Sequence, residues 1–300
     1  MKHVRYCIPF MLVLAFPILR ISPGFARWML GSLSIPGMAI LHRLTAFVPF
    51  PVAEPLALGL ILLALTGLFR VWAIGSPDLL KRAMGVLSAS LLAFILFWAP
   101  ALALPVPEIP VPHAEQLSWL CARLVDQLNA SPLAFPGPAE TLAQAPTIAG
   151  EPARAAKAAR LPGWMALARA WGMFIPLTGE ALVDPSEPPP LVPFTAVHEL
   201  MHLTGIADEG AANVAAWERC MVAGGPFADS ARLWALRYAM GQLRNADPAA
   251  WQSVQNKMNG ALLRTFLDCG AEADFTLRRM PLTQGNYAAL SGYLAGYDRD

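Results

Sequence analysis

Charge is what this 300-residue sequence lacks most: only 14% of its residues are Asp, Glu, Lys or Arg, against about 25% in a soluble globular chain. That scarcity excludes a disordered tail, a charged coiled coil and a basic nucleic-acid-binding face, so no nucleic-acid partner is expected. The 22 Gly and 28 Pro follow no triplet period, which excludes a collagen-like chain, and no repeat of fixed period is present. Cysteine is scarce as well, four residues with no Cys-x-x-Cys pair. A cysteine-ligated zinc site and a disulfide framework are thereby excluded. Cys7 falls in the first apolar stretch, leaving Cys121, Cys220 and Cys269, of which at most one pair can form; Cys220–Cys269 is the candidate.

What is present is hydrophobicity, 56% of residues with a mean hydropathy of +0.45. The net charge of +1 hides an asymmetry. Residues 1–104 hold eight Lys/Arg against two acids, a net of +6, and residues 105–300 hold fourteen against nineteen, a net of −5. The N-terminal third reads as membrane. Three apolar stretches, about 6–21, 55–74 and 84–104, approach the roughly 20 residues that cross about 30 Å of hydrocarbon. The first, Tyr6 to Ile21, also fits a signal peptide, with Lys2 and Arg5 before it and Gly24-Phe25-Ala26 as a cleavage site. An uncleaved anchor is preferred, because Trp28 to Phe50 stays apolar and suggests an interfacial helix. Lys2, Arg5, Arg70, Lys81 and Arg82 lie on one side of this arrangement and Arg20, Arg27 and Arg43 on the other. The five-to-three bias predicts a multi-pass protein of the inner cell membrane with its C-terminal domain extracytoplasmic.

Residues 105–112 (PVPEIPVP) read as a stiff linker into a domain spanning 113–300. That domain begins with an amphipathic helix over about 113–129, in which Leu117, Leu120, Leu124 and Leu128 recur at helical spacing. Residues 131–152 read as irregular and 154–170 as a helix broken at Pro162-Gly163. The segment 171–183 holds a strand-like stretch with a turn signal at Thr178-Gly179. From Ala207 onward nearly everything reads as helix. The predicted fold class is therefore mainly α: N-terminal transmembrane helices followed by a mostly helical α+β domain with a small sheet.

The segment that carries chemistry is residues 193–220, which contains His198-Glu199-Leu200-Met201-His202. Residues i and i+4 share one helix face, so both imidazoles of an HExxH pattern reach one Zn²⁺, and the intervening Glu is placed to take a proton from water. Pro193 and Thr195 start the helix and Gly205 stops it. With 5 His and 11 Glu in 300 residues, chance placement gives roughly 0.003 such matches per chain. The bland alternative is a pair of histidines on an ordinary amphipathic helix. A third ligand is needed, and Asp208 and Glu209 are both available. The metzincin pattern places it on Asp208. A gluzincin pattern places it on Glu209, with Asn213 one turn on as a hydrogen-bond partner to a ligand. Asp208 is equally suited to cap the following helix.

These residues resemble a family of bacterial integral-membrane proteins of unknown function with an N-terminal membrane region and a C-terminal HExxH domain. Residues 172–183 (GMFIPLTGEALV) resemble its G-x-x-x-P-[FL]-T-G-E-A stretch, residues 193–205 its P-F-T-x-x-H-E-x-x-H-x-x-G core, and Glu209-x-x-Ala212-Asn213 its E-x-E-A-N ending. The second Glu of that ending is Ala211 here. The resemblance implies a gluzincin-like zinc metallopeptidase, related in layout to membrane proteases of the prenyl-CAAX-endopeptidase type.

Weaker signals complete the set. Residues 172–183 are a candidate strand edge for an extended substrate, and Glu180 reads as a solvated turn residue ahead of a site acid. An oxyanion donor would come from Tyr238, Tyr287, Tyr293, Arg232 or Arg237, with Tyr287 the candidate. The expected function is a membrane-anchored zinc metallopeptidase. His198, His202 and Glu209 hold Zn and Glu199 is the base; the partners are a peptide or protein substrate and the lipid bilayer. The alternatives are a non-catalytic envelope protein with a metal-stabilised binding module, and a zinc hydrolase of non-peptide substrates.

Overall fold

The computed structural model describes residues 15–74, 77–106, 110–151, 155–161, 164–165, 170–277 and 284–296. The chain is mostly helical. An N-terminal group comprises α1 (Pro23–Met29), a π-helical turn (Leu30–Ser34), α2 (Ile35–Ala46), α3 (Ala53–Ile74), α4 (Pro77–Phe97) and α5 (Ala99–Ala103). Then come α6 (Ala114–Asn129), α7 (Pro138–Ile148), β1 (Ala156–Ala158), β2 (Gly172–Ile175) and β3 (Glu180–Val183). The chain ends with α8 (Val192–Leu203), α9 (Glu209–Ala223), α10 (Gly225–Ala246), α11 (Pro248–Gln255), α12 (Gly260–Leu277) and α13 (Gln284–Gly296).

The organising element is α8. All twelve of its residues are buried, the mark of a helix surrounded by protein on every side. Leu200 and Leu203 are fully buried on it, against Leu233, Leu236 and Met240 of α10 and Leu128 of α6 in one continuous core. Pro193 stands in its first turn, where the missing N–H costs nothing. Gly205 ends it with φ +95°, a conformation that L side chains rarely adopt. The sheet order is β1-β3-β2, with β1 parallel and β2 antiparallel to β3. Thus β2 keeps one edge free of strand partners among the described residues.

The expected transmembrane helices are not found: among the described residues no helix is long and apolar enough to cross a membrane. The 84–104 stretch is cut at Trp98, whose backbone (φ −127°, ψ −39°) leaves the helical region before the chain restarts as the short α5. The 55–74 stretch lies within α3 (Ala53–Ile74), which opens with Glu54, whose carboxylate is tied to the backbone at Arg160 and Leu161. Residues 1–14 of the first stretch, with Lys2, Arg5 and Cys7, lie outside the described residues. The apolar surface itself is real. Ile21, Phe47 and Trp72 are 83%, 88% and 83% exposed, and Ile40, Leu44, Ile61 and Leu65 are exposed beside them.

These N-terminal helices share the core and the polar network of the rest. Met38 is fully buried in the main core, and Ile35, Phe97 and Trp98 pack on it. The His42 ring accepts the Ala155 N–H at Nε2 (2.9 Å), so its proton sits on Nδ1 and is donated to Gly179 O at 2.7 Å. Gly179 (φ +66°) turns the β2–β3 hairpin so close to α2 that a Cβ would lie 2.7 Å from His42 N and Met38 O. Glu180 corrects the expectation of a solvated turn residue. It is 1% exposed and accepts hydrogen bonds from Val52 N, Ala53 N and Lys157 Nζ at 2.7–2.8 Å. Glu54 likewise gathers Arg160 N, Leu161 N and Trp164 Nε1.

Three other expectations fail. The irregular 131–152 contains α7, started by Pro138 at a position that suits proline, and the helix expected over 154–170 is instead led by β1, which exists because β3 offers it an edge. Cys220 and Cys269 form no disulfide with each other; both are buried, as is Cys121.

Candidate metal centre

The local sequence brings three ligand atoms together. His198 and His202 lie one turn apart on α8, and Glu209 is the first residue of α9. His198 Nε2 is 3.1 Å from His202 Nε2 and 3.0 Å from Glu209 Oε2, and His202 Nε2 is 3.6 Å from Glu209 Oε1. A tetrahedral centre with bonds of about 2.1 Å has ligand–ligand edges of about 3.4 Å. The three separations bracket that edge, and a two-imidazole, one-carboxylate set suits Zn²⁺.

The surroundings prepare these atoms for a cation. His202 Nδ1 donates to Ile206 O at 2.6 Å, which holds a proton on Nδ1 and makes Nε2 the nitrogen that would bind a cation in exchange for its proton. Trp98 and Phe174 flank the His202 ring, with centroids 5.8 and 6.3 Å away, and Phe194 lies 6.3 Å from His198. Burial alone would lower the His202 pKa; the hydrogen bond and charge of Glu209 and the charge of Glu199 raise it to about 9. Burial works against ionisation of Glu209 too, yet the two imidazoles hold its carboxyl well below the usual range. The pocket therefore favours positive charge.

Asp208 takes the other role open to it. It is the N-cap of α9, and its carboxylate accepts the Ala211 N–H at 2.8 Å, which satisfies one of the orphan donors at the helix start. Asn213 is buried one turn beyond Glu209, but its Nδ2 and the Nδ1 of His198 have no hydrogen-bond partners. The expected bond from Asn213 to a ligand is not formed.

Glu199 is 5% exposed. Burial raises its pKa to about 7, opposed by the charges of His198 and His202 and by a hydrogen bond from the Phe174 N–H. That bond places the outer edge of β2 directly against the carboxylate. Gly172, at the start of β2, has no room for a side chain: a Cβ would lie 2.7 Å from Glu199 Cγ and from Thr195 Cγ2, and closer still to Glu199 Oε1. A carboxyl group with a proton affinity near neutrality, beside three converging groups of metal-ligand type and a strand edge, has the chemistry that general acid–base work requires.

The other oxyanion candidates have partners of their own. Tyr238 stacks on Trp234 at 5.3 Å, Arg237 sits over the same ring, Arg232 pairs with Asp229, and Tyr293 donates to Glu218. The side chain of Tyr287 lies outside the described residues. Sequence reasoning missed Glu187. It lies in the PSEPPP loop yet is 2% exposed, and it accepts the Thr195 hydroxyl at 2.6 Å. The available signal was Thr195 itself, which stands one turn before Glu199 on the same helix face.

Residues 36–269 match a family described as Protein of unknown function (DUF3810). The chain belongs to that family. The matched region contains α2 to α11 and with them every residue of the centre. No curated protein and no solved structure matches the chain.

Proposed function

We propose that this DUF3810 protein is a zinc-dependent metallopeptidase of gluzincin-like layout, working against a lipid surface. The observation that carries the reading is the convergence of His198, His202 and Glu209 with spacings of 3.0–3.6 Å, beside a buried Glu199. Zn²⁺ held by those three residues would supply Lewis acidity toward a carbonyl and lower the pKa of water. Glu199 accepts the proton of the attacking water and returns it to the leaving amine, and its raised pKa suits both steps. The outer edge of β2, which has no strand partner among the described residues, pairs with an extended peptide through the main-chain groups that Glu199 does not occupy. Trp98, Phe174 and Phe194 keep bulk water from the imidazoles. The exposed apolar side chains of α1–α4 support the bilayer as a partner; Phe47 and Trp72 are suited to the headgroup boundary.

Metal analysis tests the first half of the reading: purified protein should hold about one zinc per chain, and absence of zinc rejects it. Glu199→Gln should keep that zinc and lose peptide hydrolysis. Unchanged hydrolysis in this variant would remove Glu199 from the mechanism, whereas zinc with no peptidase activity in the unaltered protein favours the binding-module alternative.

A further inference from the structure

Thr195 presents two different groups in two directions. Its hydroxyl points to Glu187, donating to Oε1 at 2.6 Å. Its methyl Cγ2 lies with Glu199 Cγ and Oε1 beneath Gly172, Cγ2 and Cγ both 2.7 Å from the point a Cβ there would occupy. Threonine in a helix divides between two χ1 rotamers, because its hydroxyl often returns to the carbonyl one turn back. For Thr195 that carbonyl belongs to Leu191, and it already accepts from Thr195 N, Ser230 Oγ and Trp234 Nε1. A Thr195 hydroxyl released from Glu187 has one strong acceptor left on its own helix face, the Glu199 carboxylate at i+4. Beyond the charge of Arg237, the Thr195 hydroxyl is the partner of the Glu187 carboxyl group: Oε2 is buried with no hydrogen-bond partner among the described residues.

We propose that Glu187 is a positioning residue that turns the Thr195 hydroxyl away from Glu199, so that the base meets a methyl group rather than a hydrogen-bond donor. A donor at that point would occupy the lone pair with which Glu199 takes its proton, and would hold the carboxylate away from the substrate side. The proposal rests on the reading of Glu199 as the base, but its first test does not depend on activity.

With ¹³C-labelled threonine, three-bond couplings report the Thr195 χ1 rotamer in full-length zinc-loaded protein. The unaltered protein and Glu187→Gln, which keeps the acceptor oxygen, should share one rotamer, and Glu187→Leu should populate another. An unchanged rotamer in Glu187→Leu overturns the proposal. The kinetic test uses the peptide that the unaltered protein hydrolyses. Glu187→Leu should lose about tenfold in kcat with KM and zinc content unchanged, Glu187→Gln should retain most of the rate, and adding Thr195→Val to Glu187→Leu should restore it. A double variant no faster than Glu187→Leu overturns the proposal as well. If no peptide is hydrolysed the peptidase reading fails, and the couplings still decide the role of Glu187.

Discussion

Replacing Glu187 with Gln should make the protein more stable in alkali and leave it unchanged in acid. Burial raises the Glu187 carboxyl to about 8, further supported by the charges of Glu199 and Asp184 and opposed by the Thr195 hydrogen bond and the Arg237 charge. The ordinary value is 4.5. The folded chain therefore binds this proton more tightly than the unfolded chain does. Below pH 4.5 both forms are protonated and the group costs nothing. Between 4.5 and 8 the unfolded chain ionises alone, and stability falls by about 1.4 kcal/mol per pH unit. The loss is complete above pH 8 and amounts to about 5 kcal/mol, a large part of the roughly 5–15 kcal/mol that holds a domain together. Gln cannot ionise and still offers Oε1 to Thr195. Denaturant titrations of both proteins from pH 4.5 to 8.5, with the metal chelated, give the difference in unfolding free energy, in which the titrations of groups remote from Glu187 cancel and those of Glu187 and its charged neighbours Glu199 and Asp184 remain. That difference should grow in favour of Glu187→Gln by several kcal/mol across the range. Parallel curves, separated by a constant within about 0.5 kcal/mol, would refute the account of a desolvated carboxylic acid.

Three further expectations test the centre and the apolar face. Gly172→Ala forces a Cβ against Thr195 and Glu199, and should cost about 1–3 kcal/mol by overpacking and reduce hydrolysis at least tenfold while zinc content is kept. Glu209→Ala should weaken zinc by at least a hundredfold in competition titrations. Asp208→Ala should keep zinc and cost about 1 kcal/mol for the lost cap; the reverse pattern would make Asp208 the ligand. Phe47→Glu together with Trp72→Glu should reduce co-sedimentation with phospholipid vesicles at least tenfold, and unchanged co-sedimentation would remove the bilayer from the reading.

Legibility in the sequence followed local physics. The α6 helix is visible because Leu117, Leu120, Leu124 and Leu128 repeat at helical spacing, and all four are buried. The bounds of α8 follow from Pro193 and Gly205, and the β2–β3 turn follows from Gly179. Elements made by their neighbours were not legible. The three residues of β1 carry no strand signal of their own and owe their conformation to β3 and to the His42 bond at Ala155. Glu187 sits among prolines and draws no notice, because nothing in the sequence reports that its carboxylate meets the Thr195 hydroxyl. Hydropathy located the apolar helices but not the break at Trp98.

That break matters to the centre. By leaving the helical region, Trp98 departs from the line of α4 and its ring reaches His202. Gly205, which ends the helix carrying both imidazoles, is closed from the other side by Ile35 and Leu30, where a Cβ would lie 2.8 Å from Ile35 Cδ1. The hairpin that delivers β2 to Glu199 is fastened at Gly179 by His42 and at Glu180 by the backbone of Val52 and Ala53. Remove the N-terminal helices and Glu180 keeps one cation, Lys157, but loses two N–H donors in a buried site, at a cost of several kcal/mol. The hairpin register would be lost with them. The apolar N-terminal helices are thus structural parts of the candidate centre, and the family match, which begins within α2, takes in α3 and α4 as well.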